Sequence, residues 1–251
     1  MSRRKIVMLT AYDYPSAFIA ASAGVDIILV GDSAANVVHG LKSTTQIGMP
    51  EMLLHTRAVA RGIAISARSP LVVGDMPAHS YDTPELALEN AKKFIAAGAG
   101  AVKIEGEKTE IVRTLVGDGI KVMGHLGYLP QTDAKPKVKG REEPEALLLI
   151  EFAKNLEAAG CSWLVLELVP KQIAKRISES ITIPTIGIGA GKFCGGQVLV
   201  FHDLLGLNPD DNFRPKFLKR YANLKADAIE AVKKYAREVR DGEFPQQIHS
   251  Y

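Results

Sequence analysis

Only two cysteines occur in this chain of 251 residues, Cys161 and Cys194, and neither sits in a CxxC spacing. A disulfide framework and a cysteine-built zinc cluster are therefore excluded, and a reduced, cytoplasmic setting is expected. No apolar run is long enough to span a membrane, and the short basic start at Arg3, Arg4 and Lys5 is followed by too brief an apolar stretch for an export signal. Neither charge sign dominates: 31 Lys and Arg face 28 Asp and Glu, a net charge of +3, so neither nucleic acid nor an anionic membrane is an expected partner. Small-molecule substrates remain. The chain also lacks low-complexity segments, internal repeats and Ser- or Pro-rich linkers, so residues 1–251 are read as one domain closed by a C-terminal helix.

What the chain does have is a regular alternation. Short runs rich in Val, Ile and Leu recur at Lys5–Leu9, Asp26–Val30, Leu71–Gly74, Ala101–Ile104, Lys121–Gly124, Trp163–Glu167, Thr185–Ile188 and Val198–Val200. Between them lie amphipathic stretches such as Glu51–Ala67, Pro84–Ala97, Pro144–Ala159 and Lys171–Ser180, with Gly98 and Gly160 placed as helix ends. Eight such units predict an α/β protein, a (β/α)8 TIM barrel whose parallel strands are buried on both faces. After Pro215, the spacing of Phe217, Tyr221, Leu224, Ala228, Val232 and Tyr235 predicts a further helix whose apolar stripe is core or subunit contact.

In such a barrel the chemistry gathers at the C-terminal ends of the strands. Polar residues stand there: Asp32 and Ser33 after the second strand, Asp75 after the third, Lys103 and Glu105 on the fourth, His125 after the fifth and Glu167 after the sixth. A lone Asp after a strand most often caps the next helix, and a lone Lys–Glu pair can be purely structural. Together, however, Asp32, Asp75 and Glu105 make an all-oxygen set suited to Mg2+, and Glu167, at the end of an apolar run, is placed to act as a general base. The run Gly187-Ile188-Gly189-Ala190-Gly191-Lys192 fails both the P-loop and the GxGxxG patterns and reads as close backbone packing, beside an anionic ligand if any.

Over nearly its whole length the chain resembles the ketopantoate hydroxymethyltransferase family, whose barrels are of the phosphoenolpyruvate/pyruvate type. The resemblance is carried by an ordered set of motifs: Met8 to Asp13, Val30 to Ser33, His55 to Val59, Gly74 to Pro77, Val102 to Gly106, Gly124 to Gly127 with Pro130-Gln131, Glu167 before Val169-Pro170, Gly187 to Gly191, and Gln197 to Val200. It implies transfer of a hydroxymethyl group from the co-substrate 5,10-methylenetetrahydrofolate to 3-methyl-2-oxobutanoate, giving 2-dehydropantoate for pantothenate synthesis. It implies one Mg2+ per subunit on Asp32 and Asp75, supported through water by Glu105. Ser33 and Lys103 would hold the keto acid's carboxylate, His125 would hydrogen-bond substrate or a metal-linked oxygen, and Glu167 would be the catalytic base. It implies a homo-oligomer, a decamer. The chain departs from the family pattern at His39 to Thr44, at Cys194-Gly195-Gly196-Gln197 and at Ala78, and it starts almost at its first strand. Two other readings keep the barrel: a Mg-dependent carbon–carbon lyase of the isocitrate lyase/phosphoenolpyruvate mutase type, and a non-catalytic keto-acid-binding protein.

Overall fold

The computed structural model describes residues 4–251, so Arg3 of the basic start lies outside the described residues. Two compact units are distinguished, Met1–Phe201 and His202–Tyr251. The first carries eight strands: β1 (Ile6–Thr10), β2 (Ile27–Val30), β3 (Leu71–Asp75), β4 (Ala101–Lys103), β5 (Val122–Gly127), β6 (Trp163–Glu167), β7 (Thr185–Ile188) and β8 (Gly196–Leu199). They pair in parallel in sequence order, and β1 closes on β8 with Met8 opposite Val198. All eight strands read from the sequence are present, and the predicted closed barrel is what they build.

The helices are α1 (Tyr14–Ser22), α2 (Ala34–Val37), α3 (Met49–Ala64), α4 (Pro84–Ala96), α5 (Thr109–Gly117), α6 (Glu143–Ala158), α7 (Lys171–Ser180), α8 (Phe201–Leu204) and α9 (Leu224–Arg240). Their starts follow from local chemistry. The Asp13 carboxylate accepts from the Ser16 N–H while the Ser16 hydroxyl answers the Asp13 N–H, and α1, α3, α4 and α6 each take Pro in the first turn, where its missing N–H costs nothing. Gly98 and Gly160 follow the caps of α4 and α6 in the left-handed region at φ +106° and +103°, as the sequence predicts. The seventh connection, residues 189–195, carries no helix and returns directly to β8.

Because side chains alternate across a strand, every second residue faces the barrel interior. Met8, Ile27, Leu29, Val73, Ala101, Met123, Val165, Ile186 and Val198 make one buried cluster to which all eight strands contribute. Continuing the same period by two residues places Asp75 above Val73, Lys103 above Ala101, His125 above Met123 and Glu167 above Val165. The polar residues are thus the next layer of the same column. On the outer face the helices pack close: a Cβ on Gly74 would lie 2.3 Å from the Phe94 ring of α4.

The second unit differs from its expectation. The apolar repeat begins at Phe217, yet α9 starts only at Leu224, leaving Phe217 and Tyr221 in irregular chain. No residue of α9 is buried, and Val232 and Tyr235 are 65% and 56% exposed, so the stripe is not core. Periodicity reports amphipathicity but not what covers the apolar face. No helix among the described residues is long and apolar enough to cross a membrane.

Candidate active site

At the C-terminal rim the chain of contacts runs strand by strand. The Asp32 N–H donates to Asp75 Oδ2 at 3.2 Å, and Lys103 Nζ donates to Asp75 Oδ1 at 2.8 Å. Lys103 Nζ also reaches Glu105 Oε1 at 3.5 Å. His125 stands between two carboxylates, with Nδ1 3.2 Å from Glu105 Oε1 and Nε2 3.4 Å from Glu167 Oε2. These are ion-pair distances without hydrogen-bond alignment. The six ionisable groups read from the sequence, brought in from β2 to β6, therefore form one continuous cluster.

Five of the six are buried: Asp32, Asp75, Lys103, Glu105 and His125 are all 5% exposed or less. Only Glu167, with an 18% exposed side chain, reaches solvent. Burial makes the charge states interdependent. Desolvation, reinforced by Asp75, pushes Asp32 up to about 7, and desolvation also raises Asp75 despite the neighbouring ammonium. For Lys103, burial works against the charge, but Asp75, Glu105 and Asp32 outweigh it and hold the ammonium above its usual range. Burial would raise Glu105, but Lys103 and His125 overcome it and bring the carboxyl down to about 2. His125, opposed by burial and Lys103, is lifted to about 9 by Glu105 and Glu167. Four carboxyl groups thus share two cations, and burial holds two of those groups, Asp32 and Asp75, toward the protonated form.

The capping alternative for the two aspartates does not hold. Ser33 is the N-cap residue of α2 and Thr83 that of α4, while the Asp32 carboxylate accepts from Gln131 Nε2 at 3.0 Å. The structural ion pair at Lys103 and Glu105 is made, though Asp75 is the closer partner. Ser33 makes no capping bond; its hydroxyl lies 2.8 Å from the Tyr12 hydroxyl. Glu105 does not complete a cage with the two aspartates. Its Oε1 faces Lys103 and His125 and its Oε2 accepts from the Gln131 N–H, and among the described residues no three His, Cys, Asp or Glu form a ready metal cluster.

Three further residues enter that carried no role in the sequence. Gln131 and Tyr81, 9% and 6% exposed, are woven into the carboxylate cluster. His55 of α3 has Nδ1 2.6 Å from the Tyr12 carbonyl, so this nitrogen carries the proton, and its Nε2 lies 2.8 Å from His39 Nε2. Gln131 and His55 belong to motifs that carry the family resemblance, but no spacing rule distinguishes a buried amide or imidazole that binds from one that packs. In the glycine run, a Cβ on Gly191 would lie 2.6 Å from Lys171 Cβ, so the tight backbone packing is real. The shallow pocket of about 290 Å3 lined by Arg57, Ala60, Arg61, Ala64 and Ala97 contains none of the strand-end groups.

Comparison with known proteins meets this geometry from two sides. In fold, the chain is similar to a phosphonopyruvate hydrolase solved with oxalate and Mg++ (TM-score 0.63, 14% identity, 95% of this chain and 83% of that one). It is similar also to 2,3-dimethylmalate lyase, a member of the PEP mutase/isocitrate lyase superfamily (TM-score 0.60, 17% identity, 100% and 88%). In sequence, it is 51% identical over 255 residues to 3-methyl-2-oxobutanoate hydroxymethyltransferase of Thermotoga sp. (strain RQ2), covering 99% of this chain and 92% of that protein. The profile described as Ketopantoate hydroxymethyltransferase matches residues 1–247, which takes in every strand-end group, and the chain belongs to that family of transferases.

Proposed function

We propose that this protein transfers a hydroxymethyl group from 5,10-methylenetetrahydrofolate to 3-methyl-2-oxobutanoate, giving 2-dehydropantoate, with Asp32 and Asp75 holding Mg2+. The observation that carries the reading is the partly exposed Glu167 carboxylate, set 3.4 Å from a buried histidine at the end of a cluster with more carboxylates than cations. The donor set fits the ion: Mg2+ is bound through one or two carboxylates while water and substrate oxygens complete its shell. Two neighbouring aspartates, joined by the Asp32 N–H on the Asp75 carboxylate, supply the carboxylates, and Glu105, already engaged by Lys103 and His125, supports the shell through water. When bound, Mg2+ would withdraw electrons from the 2-oxo acid and so acidify C3.

The chain's own residues do the rest. Glu167 takes the proton from C3, and His125, held between Glu105 and Glu167, fixes the orientation of that carboxylate. Lys103 and the Ser33 hydroxyl supply positive charge and a donor for the acid's carboxylate. Water opens the folate's methylene bridge, both carbon–nitrogen bonds break with a proton returned to each nitrogen, and tetrahydrofolate leaves the carbon as formaldehyde; the C3 carbanion equivalent adds to that carbon, and the proton held by Glu167 goes to the new alkoxide. The buried free thiols Cys161 and Cys194 support a reducing, cytoplasmic location.

The test separates the steps. Exchange of the C3 hydrogen of 3-methyl-2-oxobutanoate is followed by NMR in D2O without folate, and product formation is followed with folate, each with and without EDTA. Glu167→Gln is expected to lower both rates by about 100-fold or more, the usual contribution of a positioned base. Exchange that survives Glu167→Gln or EDTA at the wild-type rate rejects the proposal.

A further inference from the structure

Gln131 lies in the loop after β5, yet it touches residues delivered by three other strands. Its Nε2 donates to Asp32 Oδ2 at 3.0 Å and to the Met76 carbonyl at 3.0 Å. Its Oε1 accepts from the Tyr81 hydroxyl, and its backbone N–H donates to Glu105 Oε2 at 3.1 Å. The Tyr81 hydroxyl in turn accepts from the Glu105 N–H at 3.3 Å. A primary amide has two N–H donors and one oxygen, and here each has a buried partner. The orientation of the amide is therefore determined: Tyr81 is a donor to it and the Met76 carbonyl can only accept, so the nitrogen must face Asp32.

We infer that Gln131 and Tyr81 are a positioning pair: the Gln131 amide fixes the rotation of the Asp32 carboxylate, its backbone N–H separately holds one oxygen of Glu105, and Tyr81 keeps the amide from flipping. The side-chain partners of Gln131 are Asp32, the Met76 carbonyl and Tyr81, so the pair acts through Asp32. It leaves Asp32 Oδ1 free of the amide and ties up Oδ2. The inference rests on the reading of Asp32 as a metal ligand only for its consequence, not for the geometry. Buried groups with one satisfied orientation are rigid because any other rotamer strands a donor or acceptor out of water. Partners that orient a ligand in this way commonly change metal affinity by about 10- to 100-fold when removed.

The experiment uses the full chain and two variants. Gln131→Met keeps the length and removes both donors; Tyr81→Phe removes one hydroxyl, and it is the milder change should Gln131→Met fold poorly. Crystal structures of the folded variants read the Asp32 carboxylate rotation directly, with Glu105, held by the Gln131 backbone N–H, as the internal control. Mn2+ binding to the substrate-free protein, followed by EPR, reads the consequence without turnover. The expected result is a turned Asp32 carboxylate and an unmoved Glu105 carboxylate, whose backbone donor both variants keep, with Mn2+ affinity about 10-fold weaker in Gln131→Met and a smaller loss in Tyr81→Phe. An Asp32 carboxylate that keeps its wild-type rotation in both variants overturns the inference, whatever their thermal stability. A wild-type protein that binds no Mn2+ instead sinks the metal reading, and the carboxylate rotations still decide the role of the pair.

Discussion

At the scale of single residues, the site is a set of charges made interdependent by the loss of water. His55 provides a test outside the ionisable cluster. It is 9% exposed, and burial, aided by His39, lowers its pKa below the ordinary value, although the Tyr12 carbonyl, Asp13 and Glu51 oppose the shift. A histidine with a lower pKa folded than unfolded takes up its proton more readily when unfolded. It therefore favours the native state above the unfolded pKa, and this contribution is lost as pH falls through it. Lowering pH from about 7.5 to about 5.5 is expected to reduce the melting temperature more in wild type than in His55→Gln, measured by circular dichroism. Equal losses in the two proteins would show that His55 is not responsible. Which residues bear charge at the rim was legible in the sequence, because Asp32, Asp75, Lys103, Glu105, His125 and Glu167 each close or extend an apolar strand. That Gln131 binds Asp32 was not, since the two lie 99 residues apart.

At the scale of elements, strand and helix are locked by close approaches that only glycine permits. Gly74 immediately precedes Asp75, and the ring of Phe94 occupies the space a side chain there would need. Gly74→Ala is expected to destabilise the protein by about 1–3 kcal/mol through overpacking, measured by urea unfolding. Adding Phe94→Leu should recover part of that loss, since the added methyl and the ring compete for one space; strictly additive effects would show that the contact does not limit the packing. Gly127 plays a related part beside the base. Its φ is +100° and a Cβ would lie 2.1 Å from the Glu167 carbonyl oxygen, so no side chain fits there between the ends of β5 and β6. The atoms these glycines approach belong to other elements, and no local pattern names them.

At the scale of the whole molecule, the barrel closes because its first strand pairs with its last, so its interior layers form together. Cys161 and Cys194 sit 3% and 0% exposed, following α6 and preceding β8, and burial pushes the Cys161 thiol up to about 12 and raises that of Cys194 as well. Neither thiol is expected to react with iodoacetamide in the native protein, because the thiolate is the nucleophile and both groups are out of reach. Across a urea gradient, labelling of both should rise together with the fluorescence change of Trp163, the one tryptophan in the chain. Modification of either thiol well before that change would show that its part of the barrel opens separately.

The sequence by itself determined the elements and the chemistry at their ends. Apolar runs broken by Gly and Pro, and alternation along each strand, are properties of a few neighbouring residues and of covalent geometry, and they were enough to place eight strands and six ionisable groups. It also overstated one element: the apolar repeat from Phe217 was amphipathic before it was helical, and α9 begins seven residues later, at Leu224. Only the tertiary structure decided which groups meet. Closing the sheet puts β2, β3, β4, β5 and β6 side by side, so that Asp75 is shared by Asp32 and Lys103, and an amide from the loop after β5 orients an aspartate after β2. Those contacts depend on strand register and burial, which every part of the barrel sets at once, and so they are not written at any one place in the chain.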